Sequence, residues 1–151
     1  MFELISKIEF GTGVTVCGES HFAKTKTVYV TEHELEKWYV KVVFEDHSIL
    51  VISPFDDFMY YGRINNVFGK GDQFPDSLSY EGVYFHKEAE DYQIVKKVVF
   101  GDLLMAEGEV SYADYSSDDV IISLAVVSRT QKRADVIAKV ITLQDVELEE
   151  V

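Results

Sequence analysis

Tyrosine and aspartate crowd the stretch GEVSYADYSSDDVIISLAVV, residues 108–127, which holds Tyr112, Asp114, Tyr115, Asp118 and Asp119. Carboxylates at this density are the raw material of a cation site. Asp114, Asp118 and Asp119 would offer oxygen ligands to Ca²⁺ or a counter-charge to an organic cation, but the central glycine and terminal glutamate of a calcium loop are missing. Strand geometry supplies a second explanation. In an extended chain Tyr112 and Asp114 share one face while Ser111, Ala113 and Tyr115 share the other. Residues 116–119 then read as a hairpin loop, where Ser and Asp satisfy local backbone groups. On that reading the acidic residues turn a corner and need no ligand.

A second cluster lies in FDDFMYYGR, residues 55–63. Phe55, Phe58, Tyr60 and Tyr61 are followed by Arg63, a composition suited to a contact patch. The same rings suit a core, and core is the favoured assignment, because a β domain of this size needs its large side chains inside. Tyr60, Tyr61, Arg63, Tyr112, Asp114, Asp118 and Asp119 are therefore the candidate contacts for a ligand or partner. No catalytic residue, cofactor or metal site is assigned. His21, His33, His47 and His86 lack the short spacing of metal ligands. Cys17 has no basic neighbour, and its alternation with Thr15 predicts burial on a strand face. The glycines at 11, 13, 18, 69 and 71 do not lead into helices, so a phosphate cradle fails its context.

The elements that must position these residues are strands. Val, Ile, Tyr, Phe and Thr dominate, and these side chains suit a pleated, half-buried surface. GVTV (13–16), residues 21–31, WYVKVVF (38–44) and ILVIS (49–53) read as strands, the last two forming a hairpin around EDHS. INNVFGKGDQFPD, residues 64–76, collects Asn, Gly and Pro and reads as a connector over 65–76. Beyond it GVYF (82–85), residues 92–100, EVSYADY (109–115) and VIISL (120–124) repeat the grammar, with a second hairpin around SSDD. The matching hairpins point to duplicated halves, 1–64 and 77–151, within a single compact domain, 1–151. TEHELEKW (31–38) opens like a capped turn but runs into β-formers, so a loop or single turn precedes the strand. Residues 133–151 read as one or two closing strands.

The predicted architecture is all-β and antiparallel: two similar hairpin-rich units packed as a sandwich or as partly open barrels. Its predicted core is Val14, Val16, Val28, Val30, Trp38, Val40, Val42, Ile49, Val51, Val98, Phe100, Tyr112, Ile121 and Leu124.

Composition bounds the function. The chain has 151 residues, enough to bury a core without staples. With 27 acidic against 14 basic residues its formal charge is −13, which repels nucleic acid and anionic membrane surfaces. A single cysteine excludes an internal disulfide and fits a reducing compartment. No signal-peptide pattern and no long apolar run is present, so a cytoplasmic location without membrane insertion is expected.

Several short motifs resemble a bacterial family, the domain of unknown function numbered 4178. They are Gly13-Val-x-Val, Trp38 followed by LVIS at 50–53, Gly82 with an aromatic strand after it, and above all GE-x-x-Tyr-x-Asp-Tyr at 108–115 leading into IISL. The resemblance spans most of the chain. It implies a small β-rich cytoplasmic module without established enzymatic activity, an accessory or adaptor linked to membrane-stress response and polyamine synthesis. Two positions depart from the family pattern: Tyr39 and Ala125 stand where acidic residues are common.

The leading functional expectation is a non-catalytic binding or adaptor module with a protein partner or a small cationic ligand. The alternatives are a binding protein for a polyamine or metal cation, and a metal-dependent enzyme built on Asp114, Asp118 and His47 or His86.

Overall fold

A computed structural model describes residues 1–68, 74–101, 109–128 and 130–149. Residues 69–73 of the connector and Gly108 of the resemblance motif lie outside them. As the strand composition predicts, the described chain is built almost wholly of antiparallel β-structure. Its elements are α1 (Phe2–Lys7), β1 (Gly13–Val16), β2 (Glu19–Thr31), β3 (Glu34–Phe44), β4 (Ser48–Ser53), β5 (Phe58–Ile64), β6 (Ser77–Tyr80), β7 (Val83–Phe100), β8 (Val110–Ser117), β9 (Val120–Val127), β10 (Val136–Ile141), a 3₁₀ turn (Leu143–Asp145) and β11 (Val146–Leu148).

Between a sandwich and a barrel, the strand pairing decides for one closed barrel. Its wall runs β2-β3-β4-β5-β10-β9-β8-β7, and β7 pairs back onto β2. Strands β2 to β5 precede the connector and β7 to β10 follow it, so both seams of the barrel, β5–β10 and β2–β7, join distant parts of the sequence. Closure leaves none of these eight strands with an unpaired edge. The long strands serve twice. Residues 19–22 of β2 pair with β1 before the strand enters the wall, and residues 83–86 of β7 do the same with β6. Both outer hairpins turn on two residues with positive φ, Cys17–Gly18 and Glu81–Gly82, the backbone that tight hairpins require.

Most barrels have one greasy face per strand, but here several strands are buried on both. Val40, Val42, Leu50, Ile52 and Met59 point outward, beneath Ile5 and Ile8 of the N-terminal segment and Val14 and Val16 of β1. Opposite them in sequence alternation, Tyr39, Lys41, Ile49, Val51 and Tyr60 face the lumen. A second outer core joins Phe85, Ala113, Tyr115, Ile122 and Leu124, covered by Phe68, Phe74, Leu78 and Tyr80. The Tyr115 hydroxyl donates to the Pro75 carbonyl at 2.6 Å, which fastens the connector to β8.

Several local expectations need correction. The segment MFELISK forms a helix that strand composition does not announce; Lys26 holds it, its buried Nζ donating to the carbonyls of Ile5 (2.5 Å) and Ile8 (3.0 Å) at the helix end. Residues 34–38 belong to β3, leaving only Glu32 and His33 as a tight turn. The hairpin loops are also shorter than four residues: Ser48 starts β4, and only Asp118 and Asp119 separate β8 from β9. Cys17 is exposed in its turn, not buried on a strand face, because positive φ there places it at a hairpin corner. Val98 of the predicted core is exposed. Val28, Trp38, Phe100 and Tyr112 are half-buried, and the other predicted core residues are buried.

A polar cavity inside the barrel

The lumen is not filled. A cavity of about 500 Å³ lies inside the barrel, with Ile49, Val51, Val110, Ala125, Ala134 and Val136 as apolar wall and Tyr39, Lys41, Tyr60, Gln93, Tyr112, Asp114 and Ser123 as polar wall. That volume suits a small organic molecule. It reaches the surface between His33, Glu34, Lys37, Asp56, Glu90 and Asp91, a predominantly acidic rim. Lys37 lies 3.4 Å from Asp56 and 3.6 Å from Glu34, and His33 Nδ1 is 2.8 Å from Asp91.

Strand alternation aims the polar groups inward. Tyr39 and Lys41 are two apart on β3; Tyr112 and Asp114 are two apart on β8, opposite Ala125 and Ser123 of β9. The Tyr39 hydroxyl donates to Gln93 Oε1 at 2.5 Å, and its ring stacks on Tyr29 with centroids 5.7 Å apart. Lys41 Nζ sits over the Tyr29 ring, 5.1 Å from its centre, a cation–π contact. No carboxylate among the described residues is within ion-pair distance of that ammonium; Asp114 acts on it through space.

Burial dominates the electrostatics. It pulls the Lys41 ammonium down to about 8, against the attraction of Asp114. It pushes the Asp114 carboxyl up to about 6, against a hydrogen bond from Ser123 and the charge of Lys41. Tyr39, Tyr60 and Tyr112 are all pushed upward by burial and then by neighbouring negative or phenolic groups, Asp114 among them, and stay protonated at neutral pH. Among the described residues, two buried side-chain polar atoms have no protein partner: Gln93 Nε2 and Asp114 Oδ1.

The structure thus divides the candidate contacts. Tyr60, Tyr112 and Asp114 come together in the cavity. Asp118 and Asp119 do not join them: they sit exposed at the β8–β9 tip, where the Asp119 carbonyl accepts from Val140 N–H at 2.7 Å. Turn chemistry accounts for those two and not for Asp114, which is a wall residue. His47 and His86 are exposed, and among the described residues no three His, Cys, Asp or Glu side chains gather to hold a metal. Tyr39 and Ala125 both line the cavity. Lys41 and Gln93 escaped the sequence reading. Their signal was a polar residue in phase with the apolar positions of WYVKVVF and YQIV.

Tyr61 and Arg63 belong to the outer surface. His21, almost wholly buried, stacks on Phe44 at 4.8 Å, and its Nδ1 lies 2.9 Å from Asp46 Oδ2. Tyr61 OH lies 2.6 Å from His21 Nε2, and Arg63 Nη2 lies 2.9 Å from Asp46 Oδ2. These contacts tie β2, β5 and the β3–β4 turn together. Burial opposes ionisation of Asp46, yet hydrogen bonds from Ser48, the charge of His21 and Arg63 hold it down at about 2. A carboxyl lowered from 3.8 stabilises the fold above its unfolded value and loses that contribution as pH falls through about 2. Asp46→Asn is therefore expected to cost about 1 kcal/mol at pH 7, after allowance for solvent screening. Urea unfolding of both proteins should show the gap narrowing from pH 5 to pH 2; a gap independent of pH would contradict this account.

The architecture and cavity define a class: a closed antiparallel β-barrel with an internal, partly charged chamber opening at an acidic rim. No family model, no curated protein and no solved structure matches the chain. Among the described residues no helix is long and apolar enough to cross a membrane.

Proposed function

We propose that this protein is a non-catalytic binding module whose site is the barrel interior and whose ligand is a small organic molecule. The observation that carries the reading is the pairing of a 500 Å³ chamber with buried polar atoms that lack protein partners. Such atoms are costly unless something completes them. The resemblance to family 4178, whose members have no established enzymatic activity, points the same way, and the adaptor role it implies would use the outer surface.

A neutral fluorescent probe, N-phenyl-1-naphthylamine, tests the site. It is expected to bind with one-to-one stoichiometry and to be excluded by Ala125→Phe, which fills the chamber from the wall. Ala125→Val, a smaller intrusion that preserves the fold, should weaken it in part. Binding unaffected by both substitutions would remove the barrel interior as the site.

A second reading, a site for a polyamine or other small cation, is favoured by the carboxylates of Glu34, Asp56, Glu90 and Asp91 at the opening. On it, spermidine raises the melting temperature more than a salt of matched ionic strength. An equal response to both would eliminate it.

A further inference from the structure

We propose that the chamber is built for a small zwitterion, an α-amino acid or close analogue with an apolar side chain, its ammonium on Asp114 and its carboxylate on Lys41 and Gln93. This rests on the reading of the interior as a binding site. The oxygen of Gln93 is already taken by the Tyr39 hydroxyl, which fixes the amide so that its NH₂ is the unsatisfied end and calls for an acceptor. Asp114, paired in register with Ser123 across β8 and β9, has a buried Oδ1 without a partner among the described residues, and calls for a donor. Lys41, over the Tyr29 ring and beyond ion-pair distance of any described carboxylate, calls for an anion.

Elimination narrows the occupant. A simple cation satisfies Asp114 and meets repulsion from Lys41. A simple anion satisfies Lys41 and Gln93 and meets repulsion from Asp114. An apolar molecule leaves all three unanswered in a medium where unpaired polar groups are most costly. A molecule with both charges and no net charge answers all three. The chamber is larger than its charged groups need, and Val51, Val110, Ala125 and Val136 line the remainder, so the occupant carries an apolar body. Asp114 faces Lys41 and the phenols of Tyr39, Tyr60 and Tyr112; Lys41 faces Tyr29 and Asp114; and His33 and Asp91 stand at the rim. Both interior charges coexist between about pH 6 and about pH 8, which sets the window of tightest binding.

Calorimetry on the intact protein at pH 7, with phenylalanine, phenethylamine and 3-phenylpropanoate as probes, tests this. Phenylalanine is expected to bind at least tenfold tighter than either half-analogue. Asp114→Asn should weaken phenylalanine and phenethylamine but strengthen 3-phenylpropanoate, which loses a repulsion; Lys41→Met should weaken phenylalanine and 3-phenylpropanoate but strengthen phenethylamine for the same reason. A half-analogue binding as tightly as the zwitterion overturns the proposal. If N-phenyl-1-naphthylamine binds and no member of the panel displaces it, the zwitterion assignment falls while the interior remains a binding site. If neither probe nor panel binds, both fall.

Discussion

Replacing Lys41 by Met and Asp114 by Asn together is expected to raise the unfolding free energy of the unliganded protein by about 2–4 kcal/mol at pH 7. The reason is that two charges are held in a barrel interior without contacting each other. Lys41 has its ammonium pulled from 10.5 to about 8, so its charged form costs stability fully below about 8, and the cost fades as pH rises toward 10.5. Asp114 has its carboxyl raised from 3.8 to about 6, so its ionised form costs stability above about 6, and the cost fades as pH falls toward 3.8. Each displacement corresponds to roughly 3 kcal/mol, but the two groups attract one another and their costs do not add.

Two further features follow. The advantage of the double variant should form a plateau between about pH 6 and about pH 8 and shrink on both sides. Lys41→Met alone should gain less than the pair, since Asp114 would lose the attraction that helps keep it ionised. Chemical denaturation across pH 4 to pH 10 measures all of this. A double variant no more stable than its parent would show that the interior charges are already compensated within the protein. Interior charges retained at such a cost are the pattern expected of a site whose stability is exchanged for binding.

Gly62→Ala is expected to destabilise the barrel by about 3 kcal/mol, as overpacking between two backbones does. Gly62 lies in the middle of β5, paired with Ile49 on one side and Ala138 on the other. A Cβ there would fall 2.6 Å from Ala138 Cα and 2.7 Å from its Cβ, and closer still to the Ile137 carbonyl oxygen. Those are backbone atoms or short, stiff groups and cannot swing aside. Strand β5 would have to lift from β10, and that pair is one of the two seams by which the first half of the wall closes on the second. A glycine inside a strand often marks a sharp bend or a close backbone approach, and this one marks the approach. Urea unfolding of Gly62→Ala reads the loss directly, and Gly62→Val should lose more. A loss below about 1 kcal/mol for the alanine variant would mean the seam has room to relax.

Much of this molecule was legible before any coordinates. The period-two runs ILVIS and VIISL announced strands, and the polar residues after Phe44 and Tyr115 announced the turns that join them into hairpins. The reason is local: alternation and turn chemistry act between residues a few positions apart. The helix at MFELISK escaped because six residues carry too little periodicity, and it is held by Lys26 of β2, far from it in sequence.

What the sequence alone determined was that the chain would make antiparallel sheet and carry a large net negative charge. Which side of each strand became the interior was decided only by the tertiary structure. The alternating residues of β3, β4, β8 and β9 are apolar or aromatic on both faces, because one face packs against outer elements and the other lines the lumen. Hydrophobic alternation then loses its sense of inside and outside. Asp114 therefore looked like part of a corner with Asp118 and Asp119, and nothing local singled out Lys41. Closure of β2 on β7 and of β5 on β10, pairings across dozens of residues, carried both into one chamber beside Gln93.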